Sequence, residues 1–367
     1  MKVDYLIAEI GSTTTVVTVF NIKKNPGGED EIAISYQGKS YTTVLEGDVT
    51  LGLKNAIKDI EEQAGEEIQW DRMLATSSAA GGLRITVHGL MERMTVKAVK
   101  EAALGAGGII KMVTAGRMRK SDIKRIREIQ PNLIMIAGGT DYGERDTALY
   151  NAELIREENL NIPVVYCGNI ENHEEIKEIF KGQELYIVDN VYPHVDELNV
   201  EPARKVIQEA FEKNIVKAPG MGRIKEMVNG AIMPTPGAVM EGAKVLYDLL
   251  GDLIVFDVGG ATTDLHSVTE GSSEILDILV SPEPKAKRTV EGDLGVYVNS
   301  KNLIDLLDIR DLGTLTREAI EKNIKAIPVT EDEVRASRIL TKKAVEIAHE
   351  YSFIYAAVGI SPNDCKD

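Results

Sequence analysis

The chain is nearly free of cysteine, with Cys167 and Cys365 the only two among 367 residues. Two cysteines build no disulfide framework, so a reducing compartment, by default the cytoplasm, is the expected setting. Neither has a companion at C-x-x-C spacing, which excludes a zinc ribbon. Histidine is also sparse: His88, His173, His194, His266 and His349 are scattered, with no pair at metal-ligand spacing. G-x-S-x-G is absent and no hydrolase triad can be read. Long apolar runs are missing too. The N-terminal MKVDYLIAEI is broken by Asp4 and Glu9, so it is neither a signal peptide nor a membrane span. Positive charge is short, with 42 Lys and Arg against 58 Asp and Glu, a formal net charge of −16. That balance excludes nucleic acid as a general partner and an anionic membrane surface. It does not exclude a nucleotide, because a local nest of backbone N–H groups binds phosphate whatever the net charge. Low-complexity tracts and short-period repeats are absent.

What is present is an ordinary globular balance, 43% hydrophobic and 27% charged, in a chain long enough for two or three domains. Residues 3–10, 14–21 and 31–38 read as strands, with NPGG at 25–28 as a turn, which predicts an antiparallel meander. Residues 49–65 read as a helix. From about residue 85, short apolar runs (IIKMVTAG, NLIMIAGG, IPVVYCGN, ELYIVDNVY) alternate with helical stretches, including one expected from Asp141 to about Asn159. This alternation predicts an inserted, doubly wound α/β region over 85–200. A helix follows at 202–216, then a Pro/Gly break at KAPGMGR (217–223) that reads as a hinge. Pro236 opens a further helix. Strands are expected at 253–258, 263–268 and 274–281 (EILDILVS). The rest, 301–357, reads as helical with a polar break near 326–331. The domain boundaries that follow are 1–84 with about 201–222, then the insertion at 85–200, then 223–367.

One internal echo organises the chain. LIAEIGSTTTVVTV (6–19) and LIVFDVGGATTDLHSV (253–268) are each an apolar strand, an acid, one residue, a glycine, small hydroxyl residues and a second strand. A hairpin turn needs one Gly or Asn, not this set. Glycine removes the Cβ that keeps a phosphate from the backbone. The hydroxyls of Ser12, Thr13, Thr14, Thr262 and Thr263 are further donors. The acids, Glu9 and Asp257, repel phosphate unless a hard cation lies between, and Mg²⁺ is bound in that way through one or two carboxylates and water. Two such turns facing each other form a phosphate clamp, and one acid can position the attacking water.

These residues carry a resemblance. EIGSTTT and DVGGATTD look like the two phosphate loops of the actin, sugar kinase and heat-shock-70 ATPase superfamily. The stretches ATSSAAGGLRITVHGL, PNLIMIAGGTDYGERDTALYNAELI, NVYPHVDELNVEPAR, MPTPGAVMEGAKVLYD and PEPKAKRTVEGDLG resemble the glutamate mutase-associated MutL (GlmL) family over most of residues 1 to about 300. The resemblance implies an actin-like, ribonuclease H-like two-domain α/β fold. It implies an ATP-dependent accessory or reactivating chaperone for an adenosylcobalamin-dependent aminomutase of the glutamate mutase type, with ATP and Mg²⁺ as cofactors. Carried over to this chain, Gly11, Ser12, Thr13 and Thr14 hold the phosphates on one side and Gly259, Gly260, Thr262 and Thr263 on the other. Asp257 and Glu9 are the catalytic and Mg²⁺-binding acids. The first loop starts with Glu9 where the superfamily usually has Asp. After residue 300 only Gly313 and Gly359 remain, so an adenosine-binding Gly-Gly pair is not visible and the second domain is expected to be incomplete at its C-terminus.

Other stretches carry chemistry of their own. In KAKRTVEGDLG, Lys285, Lys287 and Arg288 precede Glu291 and Asp293, a basic–acidic loop that either reaches ribose or phosphate or is a solvated charged surface. His266 lies two residues from Asp264 and shares its strand face, so it either orients that acid or is a half-buried strand histidine. AGGTD (137–141) turns from strand into helix, with Thr140 or Asp141 as the expected N-cap. Two further functions stay open: a small-molecule kinase on the same clamp, and an interaction module that has lost nucleotide turnover. The sequence does not decide whether ATP is hydrolysed or only bound, nor the oligomeric state, a homodimer included.

Overall fold

The computed structural model describes residues 1–79, 82–277, 279 and 281–358. Its opening elements are β1 (Lys2–Ile10), β2 (Thr14–Lys23), β3 (Glu31–Tyr41), α1 (Val49–Ala64) and β4 (Gln69–Ser77). The β1–β2 and β2–β3 pairs are antiparallel, as the alternating pattern predicts, and β4 runs parallel to β1. Helix α1 forms where an acceptor stands ready at its start: the Asp48 carboxylate takes the Thr50 N–H, and Gly65 closes the other end in the left-handed region at φ 76°. Its buried stripe, Val49, Leu53, Ala56, Ile57 and Ile60, covers Leu6, Ala8, Ile10, Val17 and Val19 in one core.

The middle of the chain is β5 (Leu83–Gly89), a π-helical turn (Glu92–Val96), α2 (Lys97–Gly105), β6 (Gly108–Ala115), α3 (Lys120–Ile129), β7 (Leu133–Ile136), α4 (Asp146–Glu157), β8 (Val164–Tyr166), α5 (His173–Ile179) and β9 (Leu185–Ile187). Every pairing given in this sheet is parallel, in the order β6-β5-β7-β8-β9. The doubly wound expectation therefore holds. Strand β7 shows how it is buried. Leu133 and Met135 face the core shared with the first sheet, while Ile134 and Ile136 face a second core under α3, α4 and α5. A strand covered on both faces reads as an unbroken apolar run.

Next come α6 (Glu201–Ile215), α7 (Met221–Met227) and β10 (Ile232–Pro234). Strand β10 pairs in parallel with β4, completing a first sheet in the order β10-β4-β1-β2-β3. This is a ribonuclease H-like arrangement: a meander, then two strands parallel to its first. The remaining elements are α8 (Thr235–Leu250), β11 (Leu253–Val258), β12 (Thr263–Val268), α9 (Ser273–Leu276), β13 (Ala286–Glu291), α10 (Ser300–Asp305), α11 (Ile309–Leu312), α12 (Arg317–Lys322) and α13 (Glu331–Val358). Strands β11, β12 and β13 form a second antiparallel meander.

Several expectations are corrected. The helix expected from Asp141 starts at Asp146. Neither Thr140 nor Asp141 caps it, because the Asp141 carboxylate accepts from Ile170 N–H and Asn190 Nδ2, and Glu144 instead accepts from Thr147 N–H. The break at 217–223 packs against the first lobe: Met221 and Ile224 are buried in the first core, and Pro219 O accepts from Val49 N–H. The first sheet runs past the expected boundary at 222, because β10 belongs to it. In EILDILVS, residues 273–276 are a helical turn, and Ile278 and Val280 lie outside the described residues. The third strand is β13, formed by the basic stretch. Strands β4 and β5 are additions that the sequence reading did not foresee.

Candidate functional site

The site is built by two hairpin turns of the same design. In the first, Gly11 N–H donates to Thr14 O at 2.9 Å; in the second, Gly259 N–H donates to Thr262 O, also at 2.9 Å. The sequence echo is thus a geometric one. The two turns meet. A Cβ built on Gly260 would lie 2.5 Å from Thr13 Oγ1 and 3.0 Å from Thr13 Cγ2, so Thr13 would have to shift. Glycine lets the second turn seat against the first without that displacement.

Both turns are held from behind. Thr13 O accepts from Thr42 N–H at 3.0 Å, and Ile10 O accepts from Ser78 N–H at 3.0 Å and Ser77 Oγ at 3.3 Å. On the other side, Gly259 O accepts from Val296 N–H, and Gly260 O from Tyr297 N–H at 3.0 Å and Val298 N–H at 2.7 Å. Ala261 O accepts from Asn299 Nδ2 at 2.7 Å. Three successive carbonyls are thereby engaged on the Val296–Asn299 side. Gly295 also presses on this turn, since a Cβ there would lie 2.3 Å from Ala261 C. Ser12 is exposed, and Thr13, Thr14 and Thr262 are half-buried.

Behind the turns stand the two acids. Glu9 is near the end of β1, in register with Val16 on β2 and Thr76 on β4. It keeps solvent contact, yet partial burial lifts its carboxyl above the ordinary value. Asp257 is near the end of β11, half-buried and in register with Asp264. Its carboxyl is pushed up to about 6, first by burial, then by the negative charges of Asp264 and Glu9, with Arg288 opposing. The two acids thus belong to one electrostatic site although 248 positions separate them. Burial plus like charge is the pattern in which a carboxyl titrates near neutrality.

Five sequence candidates lie away from the turns' open face or are engaged elsewhere. The Thr263 hydroxyl is fully buried and donates to Leu294 O at 2.6 Å, so it is no phosphate donor. Asp264 and Arg288 are buried partners, Nη2 to Oδ2 at 3.0 Å. Glu291 is buried opposite Thr263, while Asp293 is exposed, its carbonyl accepting from Asn302 Nδ2. From Ala286 the basic stretch is thus a strand rather than a loop. Its cations are engaged: Lys285 by Glu270 and the Tyr247 ring, Lys287 by Glu283, Arg288 by Asp264. His266 is fully buried, neither ring nitrogen has a partner, and burial with the nearby Arg288 drops it to about 3, so it is neutral. Sequence reasoning missed Thr76, Ser77 and Asn299. The small polar run ATSS, which ends β4 beside Glu9, was the available signal for the first two.

Among the described residues no group of three or more His, Cys, Asp or Glu is placed to hold a metal. A cation there would be held through water, by Glu9 and Asp257, the carboxylates near the ends of β1 and β11. Among the described residues no helix is long and apolar enough to cross a membrane.

A ribonuclease H-like first sheet, a second meander and two apposed glycine turns define a protein of the actin-like α/β fold class. Within it, the chain matches the family described as MutL protein over residues 5–359 and belongs to that family. Protein MutL of Clostridium tetanomorphum is 37% identical over 94% of this chain and 78% of its own length. Two solved structures align more loosely. One is a nucleotide-free acetone carboxylase, 14% identical, over 80% of this chain and 48% of its own, with a TM-score of 0.34. The other is a glycerol dehydratase reactivase, 10% identical, over 86% of this chain and 76% of its own, with a TM-score of 0.23.

Proposed function

We propose that the chain is an ATP-dependent accessory factor that reactivates an adenosylcobalamin-dependent aminomutase of the glutamate mutase type, through closure of its two lobes on a nucleotide. The lobes are β1–β4 with α1, α6, α7 and β10 on one side, and α8 onward on the other. The inserted sheet over about 83–200 is the surface offered to the mutase. Membership of the MutL family supports the accessory role. The observation that carries the nucleotide reading is the seating of Gly260 against Thr13, with Glu9 and Asp257 at the strand ends behind them.

In this reading the amides of Ser12–Thr14 and Gly260–Thr262 receive the phosphates, those of Gly11 and Gly259 being engaged within the turns, and the hydroxyls of Ser12, Thr13, Thr14 and Thr262 add donors. Glu9 and Asp257 hold Mg²⁺ through water. Bound there, Mg²⁺ would supply the positive charge that phosphate and carboxylate share. Asp257, with a carboxyl near 6, also suits a group that orients a water and takes its proton close to neutral pH. Closure follows from position: the turns belong to different lobes, so a ligand bridging them holds both.

Titration calorimetry with Mg·ATP, followed by ADP release with and without glutamate mutase carrying damaged cobalamin, tests this. Binding and mutase-stimulated ADP release are expected. Absence of binding at millimolar Mg·ATP rules out the nucleotide reading. Binding without any effect on cobalamin release rules out reactivation. ADP formation that depends on a small alcohol or acid would point to a kinase instead.

A further inference from the structure

Helix α2 is the first α-helix of the inserted region, yet its C-terminal turn lies on β13 of the second meander. Two buried arginines join them. Arg204, from α6, donates through Nη2 to Glu101 O at 3.2 Å and to Ala286 O at 2.8 Å. Arg288, from β13, donates through Nη1 to Leu104 O at 3.1 Å and through Nη2 to Asp264 at 3.0 Å. The last carbonyls of a helix carry the negative end of its dipole, so a guanidinium is well suited to Leu104 O, which also accepts from Gly107 N–H at 2.9 Å. The fit is close: a Cβ on Gly105 would fall 2.5 Å from the Arg204 guanidinium. At the rim, Lys97 of α2 also pairs with Glu283.

Arg288 differs from Arg204 in what lies behind it. Its carboxylate partner, Asp264, is the cross-strand neighbour of Asp257. A continuous path therefore runs from the second turn, through Asp257 and Asp264, to Arg288 and on to the end of α2. Asp264 Oδ1, Arg288 Nε and both nitrogens of His266 are buried and without partners. Such groups raise the energy of this arrangement and bring an alternative one within reach.

We propose that Arg288 is a positioning residue that transmits the ligand state of the second turn to helix α2, and so to the inserted sheet. The inference rests on the nucleotide reading above and adds to it a specific route. Hydrogen exchange of the full chain, with and without Mg²⁺ and a non-hydrolysable ATP analogue, tests it. In the unmodified chain, the analogue should slow exchange by about fivefold in peptides covering 9–14 and 257–263, and also in those covering 97–107. Arg288→Met should keep the response at the turns and lose it at α2. Asp264→Asn, which keeps the side-chain volume, should do the same and serves if Arg288→Met does not fold. Lys97→Ala loosens the rim of the same interface but leaves Arg288 in place, so it should keep the α2 response. Persistence of that response in Arg288→Met or Asp264→Asn, or its loss in Lys97→Ala, overturns the route. A response at the turns without one at α2 in the unmodified chain also overturns it while sparing the nucleotide reading. No response anywhere overturns both.

Discussion

Asp257 is where the fold works against itself. A carboxyl raised from 3.8 to about 6 has its ionised form destabilised in the folded chain. The sign follows directly. Below the ordinary value the group is protonated in both states and carries no penalty. Between about 4 and 6 the penalty grows with pH, and above that it is complete. Asp257→Asn should therefore raise the melting temperature of the ligand-free chain at pH 7.5, by about 2 °C for a gain of about 1 kcal/mol. The gain should shrink as pH falls below 6, and the same variant should lose its response to Mg·ATP. A thermal melt at several pH values checks both; an unchanged or lower melting temperature at pH 7.5 means the charge is not strained. Gly260→Val separates space from charge. Its added atoms meet Thr13 and push the turns apart, so Mg·ATP affinity should fall by about tenfold or more, about 1.4 kcal/mol, with circular dichroism unchanged. Undiminished affinity in a calorimeter would place the phosphates elsewhere.

At the scale of elements, the second meander shows how a strand can look like a loop. KAKRTVE carries three cations, which a sequence reader assigns to solvent. In the fold each finds an anion or ring: Glu270 and Tyr247 for Lys285 and Asp264 for Arg288 come from farther along the chain, while Glu283 stands four residues before Lys287. EILDILVS, the more apolar stretch, starts instead as a short helical turn with exposed Leu276. Thr263 was misread for a related reason, since nothing local reveals that Leu294 O, 31 residues later, takes its hydroxyl. Thr263→Val removes that donor and leaves the carbonyl buried. It should cost about 1–3 kcal/mol of stability and leave Mg·ATP affinity unchanged. Denaturant unfolding beside calorimetry decides this; a weakened affinity at unchanged stability would return Thr263 to the phosphate site.

For the whole molecule, the prediction concerns closure. With Mg·ATP at a hundred times its dissociation constant, the chain should gain about 2.7 kcal/mol against unfolding. Its radius of gyration in small-angle scattering should fall where the free chain in solution is more open than this structure, in which Gly260 already touches Thr13. A thermal gain without contraction would mean that the turns are already closed in the free chain, with no stroke to drive a partner.

The sequence by itself determined the parts whose physics is local. Alternation in β1–β3, the unbroken apolar run of β7 and the acid–glycine–hydroxyl turns at 9–14 and 257–263 were legible because neighbours along the chain set them. Only the tertiary structure decided that Gly260 rests on Thr13, that Glu9 raises Asp257, that β10 joins the first sheet and that Arg288 answers to α2. Each of these is a contact between residues far apart in the chain, and its energy depends on distance and burial that folding alone creates.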